Sequence, residues 1–266
     1  MERVSRTYQF YFGIICAAAL LVAVAGLLSP AWLAVVLPWT EIPPLHARFI
    51  GAIYLFGTVF MFNSMRARYL IEARWGVLLV AVFTGLLFLV SILNFSVFDL
   101  SRLPDQIWFA SYIIYPLLGL WLFWKQPRIL KDELPGPEVA PWAYNFLKAQ
   151  GGLVVVLSLA LLFAPAFMVT VWPWPVSPLL AQVYAGPLLA YGLSCILYGH
   201  ARTWSGIRVL VPSLWAFTGA ALTASILHRN LFSLAEASDI LWFVFLAGFT
   251  AGNLALQAGL QKASRG

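Results

Sequence analysis

Apolar residues along this chain come in long unbroken runs, not in the alternation of a strand or the one-sided stripe of a surface helix. The runs lie at Tyr11–Ser29, Ala47–Asn63, Gly76–Asn94, Gln106–Trp124, Phe146–Ala164, Ala181–Tyr198, Val209–Leu227 and Ile240–Leu260. A helix rises about 1.5 Å per residue, so crossing a hydrocarbon layer about 30 Å thick takes about 20 apolar residues. Lipid offers no partner to backbone N–H and C=O groups, so each run is expected to be a helix. The pattern predicts an all-α integral membrane protein of about eight transmembrane helices.

The runs are not independent of one another. Pro30-Ala31-Trp32 recurs as Pro165-Ala166-Phe167, and Pro38-Trp39 as Pro173-Trp174. Gly51 and Gly57 recur as Gly186 and Gly192, again 135 positions on. After a one-residue slip the offset becomes 134: Arg68 and Arg74 match Arg202 and Arg208, Phe83-Thr84-Gly85 matches Phe217-Thr218-Gly219, and Ser91 matches Ser225. Asp105 and Trp108-Phe109 match Asp239 and Trp242-Phe243. Matches between Leu and Ala are cheap, whereas matches of Pro, Trp, Arg and Asp at a fixed offset are not. The expectation is two four-helix repeats, residues 1–134 and 135–266. An even number of spans per unit makes them parallel, not inverted. The first run follows Arg3 and Arg6 and has the outline of a signal peptide, but its recurrence as the fifth run argues against cleavage.

Composition strengthens the membrane reading. Of 266 residues, 62% are hydrophobic and 10% charged, against about 25% charged in soluble domains. Twelve Trp fit interfacial anchoring. The net charge of +6 does not signal nucleic acid, because the basic residues sit in short loops without a basic patch. With the N-terminus inside, all sixteen Lys and Arg except Arg48, Arg102 and Arg229 fall on the inner side. That asymmetry places both termini in the cytoplasm of a cell whose inner membrane holds the chain. Cys16 and Cys195 fall in apolar runs and form no ligand spacing. The stretch Lys125–Trp142, rich in Pro, reads as a semi-rigid connector between the halves.

Candidate chemistry is sparse. Each half has an apolar segment of about ten residues bracketed by Pro, Pro30–Trp39 and Pro165–Trp174, too short to span. Such a pair can line a lipophilic pocket marked by Trp39 and Trp174, or hold a Trp belt at headgroup depth. Arg48 has Val183 as its mate, which breaks the symmetry; Glu41, Asp99 and Asp105 are its candidate partners. His46, His200 and His228 are the three histidines, and His228, whose mate is Asn94, joins the candidate ligand-binding set. A bis-His haem needs two ligands at one depth, which leaves His46 and His228. All ten acidic residues are expected in loops or tails, with Asp105 and Asp239 as helix N-caps, which disfavours proton-coupled transport. Gly248 and Gly252 form a G-x-x-x-G suited to close helix packing or dimerisation. Asn253 and Gln257, four residues apart, are expected to bond to each other or to another helix. Pro116, Pro187 and Pro212 are expected to kink their spans.

The run Pro38-Trp39…Pro44-Leu45…Ala47-Arg48…Gly51-Ala52 resembles a pattern in uncharacterised bacterial polytopic membrane proteins. It covers about twenty residues per half, and the second half departs from it with Gln182-Val183. The resemblance implies no activity. These readings lead to a non-catalytic accessory, scaffold or assembly subunit of a membrane complex. The alternatives are a permease or carrier for a neutral or lipophilic solute, and a redox subunit holding quinone or haem. No metal or resident cofactor is expected; a bound lipid, quinone or pigment is compatible. Partners would be membrane lipids, other membrane subunits or a second copy.

Overall fold

The computed structural model describes residues 1–36, 42–127, 134, 136–233 and 235–264. Trp39 and Glu41, both singled out above, lie outside the described residues, as does most of the connector. The chain is 81% helical, with no strand among the described residues. In order the helices are α1 (Arg6–Leu28), α2 (Pro30–Val36), α3 (Pro44–Met65), α4 (Leu70–Leu93), α5 (Leu103–Lys125), α6 (Pro141–Phe163), α7 (Pro165–Val171), α8 (Pro178–Tyr198), α9 (Trp204–Ile207), α10 (Val211–Leu227) and α11 (Ala237–Ala263). Most begin on or next to proline, whose fixed φ suits a first turn and whose missing N–H is not needed there. They therefore start three to six residues before most of the apolar runs, because the polar residues ahead of each run join its first turn.

Seven helices are long and apolar enough to cross a membrane, by length and composition. The remaining expected span, Val209–Leu227, is the 17-residue α10, about 26 Å long. Its sequence counterpart α4 is continuous over 24 residues. In the second half the same stretch is split into α9 and α10. Pro212 accounts for the break: it cannot donate to the Arg208 carbonyl one turn back, and its ring crowds that carbonyl. Pro212 thus starts a helix instead of kinking one, whereas Pro116 and Pro187 sit inside α5 and α8.

Helices α3, α4, α8 and α10 form the centre. α3 packs chiefly on α1 and α10, and α8 chiefly on α6 and α4, while α3 and α4, adjacent in sequence, touch little. About 67% and 72% of the α3 and α8 spans are buried, against 22% for α5 and for α11. The outer pair carries exposed apolar side chains, Leu117 and Trp124 on α5 and Leu241 and Val244 on α11 among them. Between the halves the core is aromatic, built from Phe49, Phe56, Phe60, Tyr184, Tyr191 and Phe217.

Several contacts occur twice, 134 or 135 positions apart. Trp108 Nε1 donates to Ser91 Oγ at 2.8 Å, and Trp242 Nε1 to Ser225 Oγ at 2.9 Å. Arg3 bridges Tyr69, and Glu138 bridges Thr203. Asp105 accepts from the Asp99 N–H at 3.1 Å, and Asp239 from the Ser233 N–H at 2.6 Å. This last pair corrects the N-cap expectation. The helices begin two residues earlier, at Leu103 and Ala237, so the aspartates sit buried in the first turn. There the positive helix end favours a carboxylate that clamps the preceding loop.

A second correction concerns Glu72, which is in α4 and not in a loop, and is 1% exposed. It accepts from the Tyr69 N–H at 3.0 Å and pairs with Arg208 Nε across the two halves. Tyr198 donates to the Glu72 carbonyl at 2.8 Å. This latch lies at the end of the bundle holding the chain termini; α2 and α7 lie at the opposite, short-helix end. Where the connector is described, Gly136 has φ of +141°, a conformation L side chains rarely adopt.

Candidate functional site

At the short-helix end, α7 returns toward the centre and buries Trp172 and Trp174, 7% and 3% exposed. Phe49 of α3 sits among them, its ring 5.4 Å from Trp174, 5.0 Å from Tyr184 and 5.7 Å from Trp242. This is not a Trp belt: at Trp174 the indole is enclosed by rings from α3, α11 and the loop before it. His46 lies against the cluster. Its Nε2 is 2.8 Å from the Pro175 carbonyl and its Nδ1 2.5 Å from Tyr184 Oη. A carbonyl only accepts, so Nε2 carries the ring proton and Nδ1 accepts from the tyrosine. Both nitrogens are hydrogen-bonded, so His46 presents none free for a His46–His228 haem pairing. His200 is at the other end, bonded to the Ile196 carbonyl.

Arg48 meets His228, not the expected Asp99 or Asp105. Its Nη1 contacts His228 Nε2, the imidazole nitrogen accepting. Asp99 is held by Ser101, and Asp105 by the loop N–H. Burial first and then the Arg48 charge hold His228 below its ordinary pKa of 6.5. The counterpart junction joins the end of α4 to α8: Asn94 Nδ2 donates to Gln182 Oε1 at 3.2 Å. The sequence alone gave no sign that Arg48 and His228, 180 residues apart, would meet.

The main features are two cavities beside the core. The first, about 450 Å³, is walled by α1, α2, α3, α4 and α5, with Pro187 and Ala190 of α8 reaching in from the other half. The second, about 300 Å³, is walled by α6, α7, α8, α10 and α11, with Phe49 of α3 reaching in from the first half. Their linings correspond in part at the same sequence offsets. Leu33, Ile53 and Phe83 of the first match Met168, Leu188 and Phe217 of the second; Thr84, Ile107 and Trp108 match Thr218, Leu241 and Trp242. Ala18 and Ala19 match the bulkier Leu153 and Val154, which fits the smaller second volume.

Both linings include exposed apolar side chains. Leu21, Trp32 and Ile107 line the first and are 67%, 52% and 57% exposed. Leu153 and Leu241 line the second at 53% and 51%. At the terminal end the outer helices meet and close the gap. Tyr8 and Tyr11 of α1 donate to the Leu122 and Tyr115 carbonyls of α5. In the second half Gln150 of α6 donates to Asn253 of α11 at 3.0 Å, and Phe146 packs against Gly252. Asn253 thus bonds across helices, not to Gln257. Of the G-x-x-x-G pair, Gly252 lies close against Phe146, whereas a β-carbon at Gly248 would meet nothing within 4 Å of this chain.

Polarity separates the two chambers. The first holds Tyr54, Ser111, Tyr112 and Tyr115 where the matching positions carry Leu189, Phe245, Leu246 and Phe249. The short helices contribute Trp32 and Leu33 to one wall and Met168, Val171 and Trp172 to the other, while Trp174 lines neither. No group of His, Cys, Asp and Glu that could hold a metal ion occurs among the described residues. Comparison with known protein families, with curated proteins and with solved structures finds no match for this chain.

Proposed function

We propose that this is an integral membrane protein that binds neutral lipophilic molecules, entering sideways from the lipid phase, and carries or presents them. The observation that supports this reading is the pair of matched apolar chambers, each with its mouth among exposed apolar side chains. Ligand sites are typically concave, largely apolar and about 300–1,000 Å³. In this reading the chain crosses the bilayer about eight times, with α9 and α10 together making one crossing. The halves 1–134 and 135–266 are then parallel copies of one unit, and both termini are cytoplasmic. Pro187 and Ala190 of α8 line the first chamber and Phe49 of α3 lines the second, so each chamber also borders the interface between the halves, whose centre is filled by aromatic side chains.

Native mass spectrometry of the protein released from mild detergent tests the reading. Ala19→Trp should fill the first chamber and Val154→Trp the second. The double variant is expected to lose the bound lipophile that the wild type retains. Equal lipid content in both would defeat the proposal. The accessory-subunit reading draws on the exposed apolar faces of α5 and α11, which could equally meet a partner helix. Native electrophoresis showing one chain and no partner would count against it.

A further inference from the structure

Tyr54 of α3 and Tyr112 of α5 face each other in the first chamber, their hydroxyl oxygens 2.5 Å apart. Two hydroxyls carry two protons, and the bond between them uses one. The other has no acceptor among the described residues. A donor left without a partner away from water costs roughly 1–3 kcal/mol, so a site of this kind favours an occupant that supplies the acceptor. Ser111 and Tyr115, spaced as neighbours on one helix face, add two further hydroxyls to the same lining, with no hydrogen-bond partner among the described residues. The other polar groups of the chamber are spoken for: Thr84 bonds the Val80 carbonyl, and Trp108 bonds Ser91. The second chamber lacks this hydroxyl face, but the indole N–H of Trp172 on its wall is also buried without a partner among the described residues.

We infer that the first chamber selects a lipophilic molecule bearing a carbonyl oxygen, which accepts a hydrogen bond from the Tyr54–Tyr112 pair while hydrocarbon fills the rest of the space. The inference rests on the lipophile-binding reading above. Carbonyls of this kind occur in quinone rings and in the acyl esters of lipids, and the chemistry of recognition is shared.

The test uses the full chain in detergent with three probes: decylubiquinone, a diester phosphatidylcholine and its diether analogue. The variant Tyr54→Phe/Tyr112→Phe/Tyr115→Phe keeps the rings and removes the oxygens. It leaves no stranded partner of the tyrosine pair, so the fold should tolerate it. Wild type should bind decylubiquinone, or prefer diester to diether lipid, and the triple variant should lose about tenfold in that affinity or preference. Loss for quinone assigns the ring carbonyl, and loss of the ester preference assigns the acyl carbonyl. In the wild type itself, a ¹³C-labelled carbonyl on the bound probe should show the lowered stretching frequency of a hydrogen-bonded group. An unshifted carbonyl, or undiminished carbonyl affinity in the triple variant, overturns the inference. If Ala19→Trp still excludes all three probes, the chamber reading survives that result. If Ala19→Trp binds them as well as wild type does, the chamber reading falls too.

Discussion

In the first half α1 and α3 come closest near the short-helix end, at Gly26 and Gly51; in the second, α6 and α8 come closest nearer the termini, at Gly151 and Gly192. The glycines do not correspond. Gly51 has a glycine counterpart in Gly186, but Gly26 is matched by Leu161; Gly192 has Gly57, but Gly151 is matched by Cys16. Each half therefore has both glycines at its own contact and only one at the positions matching the other's. The consequence is spatial. Where α6 and α8 are drawn together at Gly192, the chamber is small; at the matching Gly57 the helices stand apart, and that glycine lines the larger chamber. Small changes at one position, Ala19 to Val154 among them, separate a roomy hydroxyl-bearing pocket from a tighter apolar one.

The sharpest way to break this comparison is a crossed pair of glycine substitutions. A β-carbon at Gly51 would sit 2.7 Å from the Leu27 nitrogen, and one at Gly192 2.9 Å from the Gly151 oxygen. Gly51→Ala and Gly192→Ala should each cost about 3 kcal/mol by thermal unfolding in detergent, since backbone must move. Their counterparts should be mild. At Gly186 the nearest atom would be the Phe83 oxygen at 3.1 Å, and at Gly57 the Ala19 β-carbon at 3.8 Å. Gly186→Ala should cost about 1 kcal/mol, and Gly57→Ala should be neutral or stabilise by up to about 1 kcal/mol through helix propensity. Equal effects at matched glycines would mean that the two halves pack alike.

The latch between the halves comes next. Glu72 is buried, and its position in the other half holds Gly206, so the pair with Arg208 is made once. Glu72→Gln should cost about 2 kcal/mol, less than the loss of a fully buried pair, because the Arg208 side chain is 45% exposed. A double-mutant cycle with Arg208→Gln should return a coupling of about 1 kcal/mol; zero coupling would remove the latch from the account.

Smaller still is the pH effect at the Arg48–His228 junction, because its counterpart Asn94 does not titrate. A histidine held below its ordinary pKa of 6.5 is penalised in the fold when protonated. Stability is then full above about pH 6.5 and declines as pH falls through that value toward the folded pKa. The loss should stay below about 1 kcal/mol for a partly exposed ring. His228→Asn should erase it in unfolding curves between pH 7 and pH 5. Last, Gly248→Ala should leave stability within about 0.5 kcal/mol of wild type, or raise it slightly, while Gly252→Ala must displace the Phe146 ring and should cost about 1–2 kcal/mol.

Much of the architecture was legible because a long apolar run has one low-energy form in lipid, and because Trp, Pro and Asp at a fixed offset are hard to match by accident. The tryptophans matched at 108 and 242 bond the same matched serines. The candidate site was legible in outline only. The described parts of the Pro-bracketed segments lie beside the chambers, yet the named marker Trp174 is buried in the core and lines neither, while Trp32 and Trp172 line one each. Neither the split of α10 from α9 nor the burial of Glu72 stood out in the sequence. The first turns on a single proline in an otherwise acceptable run, the second on which charged residue happens to fall one turn inside a helix.

What the sequence by itself determined is the helical, apolar character of the chain, since it follows from local composition, and the set of like residues 134 or 135 positions apart, since these are read directly along it. Only the tertiary structure decided which helices touch: α3 reaches across to α10 and α8 to α4, so the core belongs to both halves at once. It also decided that the tyrosines at 54 and 112 share one proton bond inside a chamber. Such pairings depend on helix rotation and crossing point. Uniformly apolar helices leave rotation unmarked along the chain, and it is set only when glycines and rings meet their partners.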